Sequence, residues 1–174
     1  DCPAGTSNNH DNTNENNHDA AADCTTCNNG EYQNQAGQTS CKDCDAGTYR
    51  GTTNDNQPWD GNANGNNDGM NNVNDCTVCG AGKYSEQTGQ ILETTCLDCP
   101  AGSYLVDSST ITLHNQVSDC TICGEGKYNI QTGQTSDTCL NCPQGKYLEA
   151  NPSGGDSLAI EHDAEADCKI CSPG

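Results

Sequence analysis

The chain has 174 residues and a formal net charge of −19, with 25 acidic against 6 basic residues; Phe is absent, and Leu, Ile and Val together number 17. Apolar material this scarce excludes a single conventional core, and without cysteine the same figures would describe a disordered chain. The acidity argues against nucleic acid or an anionic membrane as partner, because six basic residues are too few to form a phosphate-binding face.

Fifteen cysteines reverse the expectation of disorder, since cross-links hold a loop-rich fold that buries little apolar surface. Cysteine use at this density points to an oxidising compartment, extracellular or at the cell surface. No initiator Met, secretory leader or bilayer-spanning apolar run is present, so the chain reads as a mature piece or a window onto a longer one, with no membrane insertion in this segment.

In chain order, Cys-x-x-Cys doublets recur, and the second cysteine of each opens the phrase C-x-x-G-x-Y. Cys27 leads to Gly30 and Tyr32, Cys44 to Gly47 and Tyr49, Cys79 to Gly82 and Tyr84. Cys99 leads to Gly102 and Tyr104, Cys123 to Gly126 and Tyr128, Cys142 to Gly145 and Tyr147. All six tyrosines stand in this position; Cys2 leads to Gly5 with Ser7 in the tyrosine slot, and Cys171 reaches Gly174.

The loops between doublets alternate in length, with 21, 13, 31, 16, 20, 15 and 25 intervening residues. Short loops share Q-x-G-Q at residues 35–38, 87–90 and 131–134, which suggests a glycine turn between two extended pieces. Long loops end in Asp-Cys, at Asp23, Asp75, Asp119 and Asp167. Measured from Cys27 to Cys79, Cys123 and Cys171, the larger period is 52, 44 and 48 residues. This divides the chain into a partial repeat at 1–27 and repeat units at 28–79, 80–123 and 124–174, the last truncated at its end.

Two-stranded ribbons and irregular loops are expected, with strands at residues 83–85 and 103–106 and a β-branched run at 111–113. At most one helical turn is expected, near residues 164–167. The fold class is therefore one of small disulfide-rich repeats: an elongated ladder of disulfide-closed loops with short β-ribbons and almost no helix.

Three ways of joining the cysteines fit the spacing. A serial order closes each doublet's second cysteine on the first of the next: Cys2 with Cys24, Cys27 with Cys41, Cys44 with Cys76, Cys79 with Cys96, Cys99 with Cys120, Cys123 with Cys139 and Cys142 with Cys168. A crossed order joins doublets two by two, and sets such as Cys24, Cys27, Cys41 and Cys44 also match a tetrahedral zinc site. The serial order gives every loop its own opening phrase and closing cysteine, and leaves over only Cys171, for which a partner beyond Gly174 is expected.

C-x-x-G-x-Y resembles the first loop of the cysteine-rich repeats of tumour necrosis factor receptors. It resembles more closely the ephrin-receptor-like repeats of large extracellular proteins, with residues 99–104 (C-P-A-G-S-Y) and 142–147 (C-P-Q-G-K-Y) as the best matches. The resemblance covers nearly the whole chain and implies an elongated ladder in which each tyrosine ring packs over its own disulfide. Receptor repeats of the tumour necrosis factor type carry a further crossed pair in each unit, for which this chain has no cysteines.

Residues 60–71 (D-G-N-A-N-G-N-N-D-G-M-N) place oxygen ligands at alternate positions before a glycine bend, the pattern by which a short loop wraps calcium. Asp60, Asn62, Asn64, Asp68 and Asn71 are the candidate ligands; the segment resembles a thrombospondin type 3 repeat or the front of an EF-hand loop. Residues 11–19 and 163–167 are weaker acidic runs. No cofactor is required by anything else in the sequence. His10, His18, His114 and His162 read as exposed histidines in polar loops, and Trp59 as a contact anchor or a cap on its own loop. Despite 22 asparagines there is no N-x-S/T sequon, because Pro152 spoils the near miss at Asn151.

No nucleophile triad, paired carboxylates or phosphate loop appears, so an enzyme is not expected. The function expected is that of a non-enzymatic extracellular structural protein, a rod-like repeat segment of a surface filament, coat or matrix. Its partners would be copies of itself or other extracellular structural chains, and glycans. The alternative is a ligand-binding receptor or adhesion ectodomain.

Overall fold

The computed structural model describes residues 1–8, 21–50, 71–149 and 158–172. Seven disulfides run in serial order, Cys2–Cys24, Cys27–Cys41, Cys44–Cys76, Cys79–Cys96, Cys99–Cys120, Cys123–Cys139 and Cys142–Cys168, and close what we number rings 1 to 7. Within a ring the residues before and at the tyrosine slot pair antiparallel with the two residues inside the following doublet. The ribbons are β1 (Thr6–Ser7) with β2 (Thr25–Thr26), β3 (Glu31–Tyr32) with β4 (Lys42–Asp43), and β5 (Thr48–Tyr49) with β6 (Thr77–Val78). They continue as β7 (Lys83–Tyr84) with β8 (Leu97–Asp98), β9 (Ser103–Tyr104) with β10 (Thr121–Ile122), β11 (Lys127–Tyr128) with β12 (Leu140–Asn141), and β13 (Lys146–Tyr147) with β14 (Lys169–Ile170).

A two-residue ribbon has no stability of its own, and in every ring but ring 3 it is clamped at both ends. The disulfide ties one end. At the other, the glycine of C-x-x-G turns with φ between 69° and 86°, a region open to glycine without a Cβ penalty. Its carbonyl then accepts from the second cysteine of the closing doublet, as in Cys44 N–H to Gly30 at 2.7 Å, Cys123 to Gly102 at 2.8 Å and Cys171 to Gly145 at 2.9 Å.

Among the described residues there is no α-helix, but there are seven 3-10 turns where at most one helical turn was expected. Three of these turns are closed by the Asp-Cys endings. Asp75, Asp119 and Asp167 each accept from the backbone N–H three residues back, of Asn72 (2.8 Å), Gln116 (3.0 Å) and Ala164 (2.9 Å), which closes one turn just before the cysteine. Ile111–Leu113, expected as an extended run, is also a 3-10 turn.

The chain forms two compact units, Asp1–Val78 with Gln87–Thr95, and Cys79–Glu86 with Cys96–Gly174. In the first, Tyr32 packs with the buried Cys44 and Cys76 and with Val73. The second has two clusters, Cys99, Leu105 and Cys120 with Tyr84, and Tyr128, Leu148 and Cys168 with Cys142. These clusters correct the expected tyrosine packing. Tyr32, Tyr84 and Tyr128, of rings 2, 4 and 6, lie against the disulfide of the next ring.

Candidate functional site

What recurs in this chain is the set of contacts by which one ring holds another. In the first unit, Gly37 N–H donates to Cys2 C=O (2.7 Å) and Gly89 N–H to Cys44 C=O (2.8 Å); in the second, Gly133 N–H donates to Cys99 C=O (2.8 Å). The carbonyls of Gln38, Gln90 and Gln134 accept in turn from Asn8 (3.0 Å), Arg50 (2.8 Å) and Leu105 (2.9 Å). The Q-x-G-Q turn is thus present, with its glycine at positive φ, but its flanks pair outward. Gln90 and Gln134 bridge in parallel to Tyr49 and Tyr104 of the preceding rings, so the turn is a docking device.

Asp1, Asp43 and Asp98, which precede Cys2, Cys44 and Cys99, lie beside the docked glycines Gly37, Gly89 and Gly133. Space there is tight. A Cβ on Gly30 would meet the carbonyl oxygen of Gly89, one on Gly82 that of Gly133, and one on Gly102 that of Ala159.

His114 and His162 are fully buried, which corrects the expectation of exposure; His10 and His18 lie outside the described residues. Each buried ring donates from Nδ1 to a strand carbonyl, Lys83 O at 2.7 Å and Lys127 O at 3.0 Å, since a carbonyl only accepts. Each backbone carbonyl accepts in return, His114 from Ser85 N–H and His162 from Asn129 N–H, both at 2.8 Å. The two histidines therefore staple a long loop to the preceding ring. The signal was in the sequence: both stand six residues before the closing cysteine, Cys120 or Cys168.

Replacing His114 by Leu leaves the Lys83 carbonyl without this donor at a buried site, a cost of about 1–3 kcal/mol. The expected result is faster amide exchange at Ser85 by roughly tenfold or more, with Cys27 unchanged; equal exchange at Ser85 would remove the staple.

Asp107 lies 3.3 Å from His114 Nε2. Backbone hydrogen bonds from Thr110 (2.7 Å) and then Ser109 (2.9 Å) hold its carboxyl down to about 2, burial opposes them, and side-chain bonds from Thr110 and His114 add to the lowering. The folded value is below the ordinary one near 4. The contribution of this cap is accordingly full above about pH 4 and lost as pH falls through about 2. Amide exchange at Ser109 and Thr110 should report that loss in the wild type and show no such step in Asp107→Asn.

Four lysines are paired across exposed positions, Lys83 with Asp98 (2.7 Å), Lys127 with Asp137 (3.3 Å), Lys146 with Glu165 (3.1 Å) and Lys169 with Glu149 (3.9 Å). Lys42 bonds Asn34 (3.0 Å) and sits 5.9 Å from the centroid of the Tyr32 ring. Such exposed pairs add little stability, but they leave no lysine cluster to attract an anion.

Of the calcium candidates, Asp60, Asn62, Asn64 and Asp68 lie outside the described residues, as does Trp59, and Asn71 is exposed. The acidic run at 11–19 also falls outside, and Asp167 of the other run is engaged in its turn. Among the described residues no group of three or more His, Cys, Asp or Glu stands placed to hold a metal ion, and no helix is long and apolar enough to cross a membrane. Cys171 is an exposed free thiol.

Seven rings on one plan define a class, the disulfide-rich repeat module. Residues 15–56 match the family model described as tyrosine-protein kinase ephrin type A/B receptor-like. The chain carries tandem ephrin-receptor-like cysteine-rich repeats, a non-catalytic type of extracellular module. No curated protein matches the sequence.

Proposed function

We propose that the chain is a non-enzymatic structural segment of an extracellular surface filament, coat or matrix, in contact with copies of itself, other structural chains or glycans. One observation carries this reading: most of the side-chain polar groups that recur from ring to ring are engaged within the array, the buried Nε2 of His162 being an exception among the described residues. The Asp-Cys carboxylates close turns, His114 and His162 staple loops, and the buried Gln33 and Asn129 bond Ser40 O (2.7 Å) and Thr138 Oγ1 (2.9 Å). Repetition used for cohesion in this way favours a building element over a ligand site.

Negative-stain electron microscopy of the protein isolated from its source without reductant is expected to show regular filaments or sheets with a fixed repeat. Dispersed particles, together with saturable binding of a protein ligand by the monomer, would favour a receptor or adhesion ectodomain instead.

Calcium at Asp60, Asn62, Asn64, Asp68 and Asn71 is supported by their spacing alone. Chelation is then expected to speed protease cutting within residues 60–71, and unchanged cutting removes calcium from the proposal.

A further inference from the structure

Ring 7 presents the same docking face as rings 1, 3 and 5. In those three the carbonyl of the opening cysteine (Cys2, Cys44, Cys99) accepts from a Q-x-G-Q glycine, and the N–H two residues beyond the Thr or Ser slot (Asn8, Arg50, Leu105) donates to the second glutamine. In ring 7 the corresponding groups are Cys142 C=O and Leu148 N–H, and neither has a partner among the described residues. The tyrosine between them shows the same difference. Tyr49 and Tyr104 are bridged by Gln90 and Gln134 and are half-buried, whereas Tyr147 is 41% exposed and unbridged. Asn141 stands where Asp1, Asp43 and Asp98 flank the docked glycines.

What covers this face elsewhere in the chain is always one chemical object, a disulfide-closed loop with a Gln-x-Gly-Gln turn. The three turns of this chain, at residues 35–38, 87–90 and 131–134, are already docked, so a second copy has none to offer. The position from which such a loop is delivered is also set. Cys27 and Cys123, which open rings 2 and 6, donate their N–H groups to Gly5 and Gly102 at 3.0 and 2.8 Å; Cys171 donates to Gly145 at 2.9 Å in the same way, with its thiol exposed. We infer that the face formed by Cys142, Tyr147 and Leu148 binds the Gln-x-Gly-Gln turn of a further disulfide-closed loop opened at Cys171.

The test extends the chain after Cys171 with a second copy of residues 124–141, which supplies a turn, a closing cysteine and the residues of β12. Non-reducing peptide mapping and amide exchange are then read together. The expected result is a bond between Cys171 and the copied Cys139, and exchange at Leu148 slowed at least tenfold, toward that of Leu105. Placing Val at the copied Gly133 should keep the bond and abolish the slowing. The inference is overturned if the added loop fails to close on Cys171, if it closes with Leu148 exchange unchanged, or if the Val variant slows Leu148 equally.

Discussion

Gly102→Ala is expected to loosen the second unit far more than Gly126→Ala, although both glycines open a ribbon with similar backbone angles. At Gly102 φ is 82° and at Gly126 it is 69°, so an L side chain meets the same left-handed penalty of about 1–2 kcal/mol at either site. Their surroundings differ. A Cβ on Gly126 meets nothing within 4 Å, whereas one on Gly102 runs into the carbonyl oxygen of Ala159 and comes within 2.9 Å of the carbonyl carbon of His162. These are backbone atoms and cannot rotate away. The long loop of ring 7 must move off ring 5, taking the His162 staple with it.

Gly126→Ala should therefore cost about 1–2 kcal/mol, while Gly102→Ala should cost about 3 kcal/mol or more, the excess being that of overpacking. Amide exchange read at Asn129, whose N–H donates to His162 C=O at 2.8 Å, distinguishes the two. Equal acceleration in both variants would show that ring 5 and the ring 7 loop are not in the close approach described.

Much of this array is written in the sequence, because its strongest signals are local. The phrase C-x-x-G-x-Y contains the left-handed glycine, the strand and the cysteine that starts the ring, and its repetition makes the ladder legible without a relative. The Asp-Cys endings were equally visible, yet their meaning was not. That a carboxylate three residues into a turn accepts from the backbone behind it follows from the 3-10 geometry, which a chain so rich in Asn and Gly does not announce.

Contacts between rings were the least legible part. Tyr32, Tyr84 and Tyr128 occupy the same phrase as Tyr49, Tyr104 and Tyr147, and nothing within the phrase says that the first three pack on the following disulfide. All three belong to the rings with short loops, so the preference tracks the alternation of short and long loops, a property of neighbours and not of the motif. His114 and His162 are hard to read for a similar reason: a histidine in a polar loop reads as exposed, and only their equal distance from Cys120 and Cys168 marks the buried pair. The Q-x-G-Q phrase reads as a turn, and its docking role depends on the carbonyls of another ring.

Removing the Cys99–Cys120 bridge by paired Ser substitution is expected to cost clearly more than removing Cys123–Cys139, and the comparison isolates packing from chain entropy. The two bridges close sequence separations of 21 and 16 residues, so restriction of the unfolded chain is worth about 3 kcal/mol for each. They differ in what lies against the sulfurs. Cys99 and Cys120 are buried with Leu105 and Tyr84 in one of the few apolar clusters, while Cys139 is half-buried and neither Cys123 nor Cys139 belongs to a cluster.

Two hydroxyls in place of the buried bridge would open Leu105 and Tyr84 to water, adding roughly 2 kcal/mol on the scale for one buried side chain. The expected order is thus about 3 kcal/mol for the ring 6 pair and about 5 kcal/mol for the ring 5 pair. Amide exchange at Leu105 and Cys123, whose N–H groups donate to Gln134 C=O and Gly102 C=O at 2.9 and 2.8 Å, reads the second loss directly. If both double variants lose the same stability, the clusters contribute nothing beyond the cross-links, and the tyrosine packing against neighbouring disulfides has no energetic role. A larger loss for ring 5 means that the alternation of loop lengths, by seating each even tyrosine on the next bridge, stabilises the array in addition to the covalent staples.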